Sequence, residues 1–249
     1  MSELGIEITS ICSFNCYFCG VEKREKHTIS TEVFKRVVDE ALELGYDSFV
    51  LTPKNGDVFC DPDVYSKLEY LKKIKVPYYF FTNLHLADPI KLNEVISPLG
   101  KIYLSEYGKS DEEFEHLTQR PRSFRHKVLQ NAKILKGRIS HQDRNDTYIT
   151  VMKKRQKPSD LIKHKICTEA YNHSVSSNGD VLLCTCGRWN PHLKVGNIYQ
   201  QSLKDVFTSD LYRDTMRHLI RNGMDNEICQ RCPNHNDYQS PKQMLKNMM

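Results

Sequence analysis

Apolar runs and amphipathic stretches alternate through the first two thirds of the chain, the pattern of parallel strands joined by helical crossovers. The spacing predicts strands near 4–9, 48–52, 77–82, 101–105 and 147–151. Between the first two, Phe34, Val37, Val38, Ala41 and Leu44 share one helical face, with Ser30 or Thr31 placed to cap its start and Gly45 to stop it. A second crossover is predicted to open with Asp61 as cap and Pro62 at the first helical position, followed by Val64, Leu68 and Leu71 at helical spacing. Phe124, Val128, Ala132 and Leu135 mark a further helix ending at Gly137. Five such units in about 150 residues predict an α/β fold built as a partial (β/α)5-6 TIM-like barrel, because a closed eight-unit barrel needs about 250 residues for itself.

The texture changes after Cys167. Residues 172–184 form two short extended runs around Asn178-Gly179-Asp180, a hairpin signal. Leu203, Val206, Phe207, Leu211, Met216 and Leu219 then recur at helical spacing as a packing face. The expected organisation is therefore a barrel over 1–160 and a small hairpin-plus-helix unit over 161–249. Neither an internal repeat nor a low-complexity segment interrupts this pattern.

Nine cysteines in 249 residues change the picture from packing to chemistry. Met1-Ser2-Glu3-Leu4 lacks the basic start and apolar run of a signal peptide, so the thiols read as reduced and the chain as cytoplasmic. No run approaches 18 consecutive apolar residues, which predicts no membrane helix. Cys12, Cys16 and Cys19 stand within eight residues at the end of the first predicted strand. A structural zinc site wants four ligands, whereas an iron-sulfur cluster held by three thiolates keeps one iron open. Zinc completed by His27 is the competing arrangement. A second set, Cys167, Cys184 and the C-x2-C pair Cys229 and Cys232, supplies four thiolates, a set that suits zinc or iron-sulfur equally. The formal charge of +5 treats these thiols as neutral; two clusters with deprotonated ligands lower it to about +2, which argues against a generic nucleic-acid binder.

The spacing C-x3-C-x2-C, with Phe18 before the last cysteine, resembles the cluster loop of radical S-adenosylmethionine (SAM) enzymes. The resemblance covers nearly the whole chain. It implies a [4Fe-4S] cluster on Cys12, Cys16 and Cys19 and SAM bound to its open iron. The second cysteine set, with Gly179 before Cys184 and Gly196-Asn197-Ile198 after it, resembles the twitch form of the SPASM extension and implies one auxiliary [4Fe-4S] cluster on Cys167, Cys184, Cys229 and Cys232. By the same resemblance Phe18 lies beside the adenine, and Gly56, Asn83 and Ser105 contact SAM from strand ends. Asp57 stands where the family has the glutamate of Gly-Gly-Glu, a departure that shortens the carboxylate facing the SAM amino group.

Family membership leaves the reaction open. The architecture is similar to that of 2-deoxy-scyllo-inosamine dehydrogenase, which implies oxidation of an alcohol of a sugar or cyclitol with the auxiliary cluster as electron acceptor. Cys60 or Cys186 facing the cavity would allow epimerisation instead, and His85, Lys153 and Arg188 are further substrate-facing candidates, beside Trp189. Peptide modification is the rival activity, disfavoured because Cys12 lies too near the N-terminus for a leader-binding domain to precede the barrel. The partners implied are a small polar substrate and a reducing donor such as flavodoxin or ferredoxin. Outside catalysis, a zinc-stapled binding module uses the same cysteines structurally.

Overall fold

The computed structural model describes residues 2–19, 25–53, 56–144, 172–184 and 191–222, and the backbone of 166–167 and 238–239. Five parallel strands, β1 (Glu3–Ile6), β2 (Ser48–Val50), β3 (Tyr78–Thr82), β4 (Gly100–Glu106) and β5 (Ile139–Asp143), lie side by side in sequence order. Leu4, Ile6, Phe49, Phe80 and Leu104 are fully buried on them, as expected for strands covered by crossover helices. Helix α1 (Thr31–Glu43) starts where Ser30 accepts the Val33 amide, buries Phe34, Val37, Val38 and Ala41, and ends before Gly45, whose φ of 88° suits glycine.

The second crossover, α2 (Val64–Ile74), starts later than the sequence suggests. Asp63, not Asp61, is its cap residue and makes no side-chain cap bond. The Asp61 carboxylate lies just before the helix, where Oδ1 accepts the Asp63 amide at 2.9 Å and Oδ2 meets Lys67 Nζ at 2.6 Å, with the two paired side chains almost wholly buried. A buried ammonium without a counter-ion is costly, which keeps one carboxylate oxygen on Lys67. Two short helices, α3 (Pro89–Val95) and α4 (Asp111–Thr118), precede α5 (Arg122–Ile134). The fifth strand also differs: β5 pairs with β4 at Ile139–Asp143, whereas the predicted 147–151 lies outside the described residues. Its single apolar residue and largely exposed pattern gave no alternation to read.

The hairpin of β7 (Ser174–Val175) and β8 (Asp180–Leu182) forms around Gly179 and is joined by β9 (Lys194–Asn197). Short strands β6 (Ile166–Cys167) and β10 (Tyr238–Gln239) pair antiparallel, which brings the Cys167 backbone against Tyr238. The hairpin is not a separate layer. β7 runs parallel beside β1, so one mixed sheet of order β5-β4-β3-β2-β1-β7-β8-β9 spans both parts and, among the described residues, does not close. Glu7, fully buried at the end of β1, fastens this seam by accepting the Ser177 amide at 3.1 Å and hydroxyl at 3.0 Å. On the other side of the seam the His173 carbonyl accepts the Gly5 amide of β1 at 2.9 Å, while its ring lies between Tyr46 and Tyr212 and against Phe207, joining the segment before β2 to helices α6 (Leu203–Thr208) and α7 (Asp210–Asn222).

Candidate active site

The residues that follow β1 to β4 converge at the C-terminal edge of the sheet, where parallel α/β folds place their chemistry. Thr9 and Ser10 leave β1 pinned to the segment before α1: the Thr9 and Thr28 hydroxyls meet at 2.9 Å and Ser10 Oγ accepts the His27 amide at 2.9 Å. The cysteine loop then turns over a tight bend closed by Cys19 N on Cys16 O at 2.9 Å. Its outer side is braced by the end of α4 and the residues after it. Thr118 O accepts the Asn15 amide at 3.0 Å, and Arg120 Nε donates to Ser13 O at 2.8 Å.

Beneath the loop the 56–60 turn is locked in place. Gly56 has φ of 97°, and a Cβ there would meet Thr9 O at 2.2 Å. Asp57 N donates to Ile11 O at 2.8 Å. The buried Asp57 carboxylate takes the Phe59 amide at 3.0 Å, the Thr82 hydroxyl at 2.8 Å and the Asn83 amide at 2.7 Å. Burial nevertheless pushes its pKa up, against the pull of those three donors. In this structure Asp57 therefore ties the turn after β2 to the end of β3. Asn83 is 4% exposed, and its Nδ2 lies 3.6 Å from Cys12 Sγ and 3.4 Å from Ser13 Oγ. Ser105 is buried at the end of β4, and Phe18 is half-buried with its ring against Tyr17 and Tyr107.

The three thiols share one loop at the end of β1. Burial raises the Tyr107 hydroxyl well above its usual range, and charge on Cys16, Cys12 or Cys19 adds to that effect. Burial pushes Cys16 up to about 12 and Cys12 higher, the latter helped by Asp57, while the Phe14 amide donating to Cys12 Sγ at 3.4 Å works the other way. Neutral thiols suit the loop only until a cationic centre replaces their protons. Cys12, Cys16, Cys19, Cys60 and Cys184 are free thiols, so no disulfide competes for them. Among the described residues no three Cys, His, Asp or Glu side chains converge tightly enough for a single metal ion. His27 instead turns its ring to Glu25 at 3.1 Å. Three thiols in one loop, Cys16 buried and Cys12 and Cys19 partly so, with no disulfide between them, supply the soft donor set that an iron-sulfur cluster would take.

Of the other sequence candidates, Cys60 lies beside Cys12 and Asp57 and accepts the Ser13 amide; burial pushes it up to about 12. His85 is packed into an aromatic cluster under the loop, stacked on Phe124 with ring centroids 3.8 Å apart, and its Nδ1 is buried with no hydrogen-bond partner. Burial, with Lys127 and Arg120 nearby, lowers the pKa of its imidazole. Lys153, Cys186, Arg188, Trp189, Cys229 and Cys232 lie outside the described residues, as does the Cys167 side chain. Cys184 is buried just beyond β8. Sequence reasoning did not find Glu7, Tyr107 or Arg120. Glu7 alone carried a signal, a carboxylate flanked by Ile6 and Ile8 in an apolar strand.

A three-thiol loop at the mouth of a parallel sheet, followed by a cysteine-bearing hairpin, defines an iron-sulfur protein of partial-barrel type. A family model described as Radical SAM superfamily matches residues 6–158, and one described as Iron-sulfur cluster-binding domain (SPASM) matches 167–233. The chain belongs to the radical SAM superfamily. Membership implies a [4Fe-4S] cluster with SAM, and the second match implies auxiliary iron-sulfur binding. Among solved structures the chain is similar to BtrN in complex with AdoMet and 2-DOIA (16% identity, TM-score 0.67, covering 93% of this chain and 92% of that chain). It is also similar to Streptococcus suis SuiB bound to S-adenosylmethionine (14%, 0.62, 96% and 75%) and to native anSMEcpe with bound AdoMet (14%, 0.60, 93% and 87%). At these identities the likeness shows the fold. No curated protein sequence matches the chain.

Proposed function

We propose that this chain is a radical SAM oxidoreductase that oxidises an alcohol of a small polar metabolite, a sugar or cyclitol, with residues 1–160 as the radical-generating unit and 161–249 as the auxiliary unit. The observation that carries this reading is the overlay with BtrN bound to AdoMet and 2-DOIA, which covers more than nine tenths of both chains. Cys12, Cys16 and Cys19 hold the first cluster; Cys167, Cys184, Cys229 and Cys232 hold the second. When bound, the first cluster and SAM would supply a 5′-deoxyadenosyl radical for hydrogen abstraction at a carbinol carbon, and loss of the hydroxyl proton to a base and of one electron to the oxidised second cluster would leave the carbonyl. Gly56 lets main-chain groups approach the SAM amino group, Phe18 flanks the adenine, and Asn83 and Ser105 form the polar floor. Asp57 acts here by fixing the turn that carries Gly56. Lys153, Cys186 and Arg188 are the candidate groups around the substrate, and a flavodoxin or ferredoxin in the cytoplasm supplies the electron.

The test is anaerobic turnover of the reconstituted protein with SAM, a low-potential reductant, and 2-DOIA beside a panel of amino sugars and cyclitols. The reading expects 5′-deoxyadenosine together with a product two hydrogens lighter than its substrate. Cys60 beside Cys12 favours one second reading, epimerisation with a thiol as hydrogen donor. Turnover in deuterated water separates the two: label incorporated into an unoxidised product contradicts the oxidoreductase. A reaction confined to peptide substrates would contradict both.

A further inference from the structure

The Asn83 side chain is held by its neighbours in one orientation. Its backbone amide is fixed by Asp57 Oδ2 at 2.7 Å, and its Oδ1 accepts the His85 amide at 2.9 Å. With the carbonyl end of the amide so occupied, Nδ2 is left pointing at the cysteine loop, 3.6 Å from Cys12 Sγ, a length suited to a hydrogen bond to sulfur. The His85 backbone that fixes this orientation is itself anchored, because Asn131 Nδ2 on α5 donates to Leu84 O at 2.8 Å and to Ala87 O at 3.1 Å. Leu84, between them, takes φ of 59°, an unusual backbone for leucine that lets the chain turn back under the loop. The Phe14 amide is the second donor to Cys12, so this one sulfur faces two N–H groups.

We propose that Asn83 is a positioning residue for the N-terminal cluster, donating an N–H···S hydrogen bond to Cys12 that raises the reduction potential of the centre. Donors to ligand sulfur stabilise the reduced state, which carries more negative charge, and they are one of the levers that set cluster potentials. The role assigned here is thus to the ligand sulfur, and it rests on the reading that Cys12, Cys16 and Cys19 hold the cluster.

The test is an EPR-monitored redox titration of the reconstituted full-length protein, following the component of the spectrum that changes on adding SAM. Asn83→Leu removes the donor at similar size. Asn83→Asp keeps the Oδ1 acceptor and places an acid beside the sulfur. Both are expected to make the potential more negative by about a tenfold shift in the reduction equilibrium, about 59 mV for one electron, with Asp the larger effect. Iron content and a cooperative thermal transition establish that each variant is folded and loaded; Asn83→Ser, too short to reach Cys12 but small enough to fit, serves if Asn83→Leu does not fold. A loaded variant that loses the SAM response while its SAM-free cluster signal keeps the wild-type potential overturns the role, because Asn83 then acts on SAM and not on the sulfur. Loaded variants with the wild-type potential overturn it. Absence of any SAM-responsive signal in the wild-type protein refutes the cluster assignment itself, a distinct failure.

Discussion

Replacing Gly56 by alanine tests how the cysteine loop is seated. Two costs add at this position. With φ of 97°, an L side chain incurs about 1–2 kcal/mol of left-handed strain. The new Cβ would also lie 2.2 Å from Thr9 O and 3.1 Å from Thr9 C, so the backbone must part by about 1 Å, since real Cβ contacts essentially never fall under 3.0 Å. Thr9 cannot yield freely, being held through Thr28, the Ile11 amide and the Ile8–Ile29 backbone bond. Overpacking of this kind costs about 1–3 kcal/mol, giving a total of about 2–5 kcal/mol. Gly45→Ala is the matched control: its φ is 88° with nothing within 4 Å of the added carbon, so only the strain remains. Urea unfolding of the two variants should therefore differ by the steric part, and Gly56→Ala alone should lose SAM affinity. Equal destabilisation of both variants, with SAM binding retained in both, would refute the close approach of the 56–57 turn to the loop.

Asp61→Asn strands the Lys67 ammonium in the core and should cost about 3–5 kcal/mol in urea unfolding, whereas Asp61→Leu with Lys67→Met should recover most of it. Leu84→Gly relieves a φ of 59°, worth about 1 kcal/mol, but removes a wholly buried side chain worth about 3–5 kcal/mol, so a net loss is expected; a gain in urea unfolding would show that the strain outweighs the lost packing. His173 is held by burial at a pKa of about 4, below its ordinary value, so the unfolded chain binds the extra proton first. Stability should therefore fall as pH drops from about 6.5 towards 4, by up to about 3 kcal/mol, and His173→Phe should flatten that part of the stability profile.

Periodicity made the strand and helix order legible because each crossover helix buries one clean apolar stripe, as Phe34, Val37, Val38 and Ala41 do on α1. It failed where burial does not decide the element. β5 is an exposed edge segment, and Asp61 before α2 is engaged by an ion pair that only the folded chain brings together. The cysteine loop was readable because Cys12, Cys16 and Cys19 are local in sequence. Its supports were not, since Asp57, Asn83 and Arg120 reach the loop from three different elements. The same locality explains why Asp57 read as a ligand-facing carboxylate, when its oxygens are engaged by Phe59, Thr82 and Asn83. The continuity of β1 with β7 across the two parts of the chain carries no sequence signature beyond the odd carboxylate at Glu7.

The most direct test of the site is formation of 5′-deoxyadenosine from SAM by the anaerobically reconstituted, reduced protein, compared with its Cys12→Ala variant. The wild-type chain should produce it and the variant should not, even when the auxiliary cysteines remain loaded with iron. Equal yields from both would contradict the assignment of Cys12, Cys16 and Cys19 as the radical-generating centre.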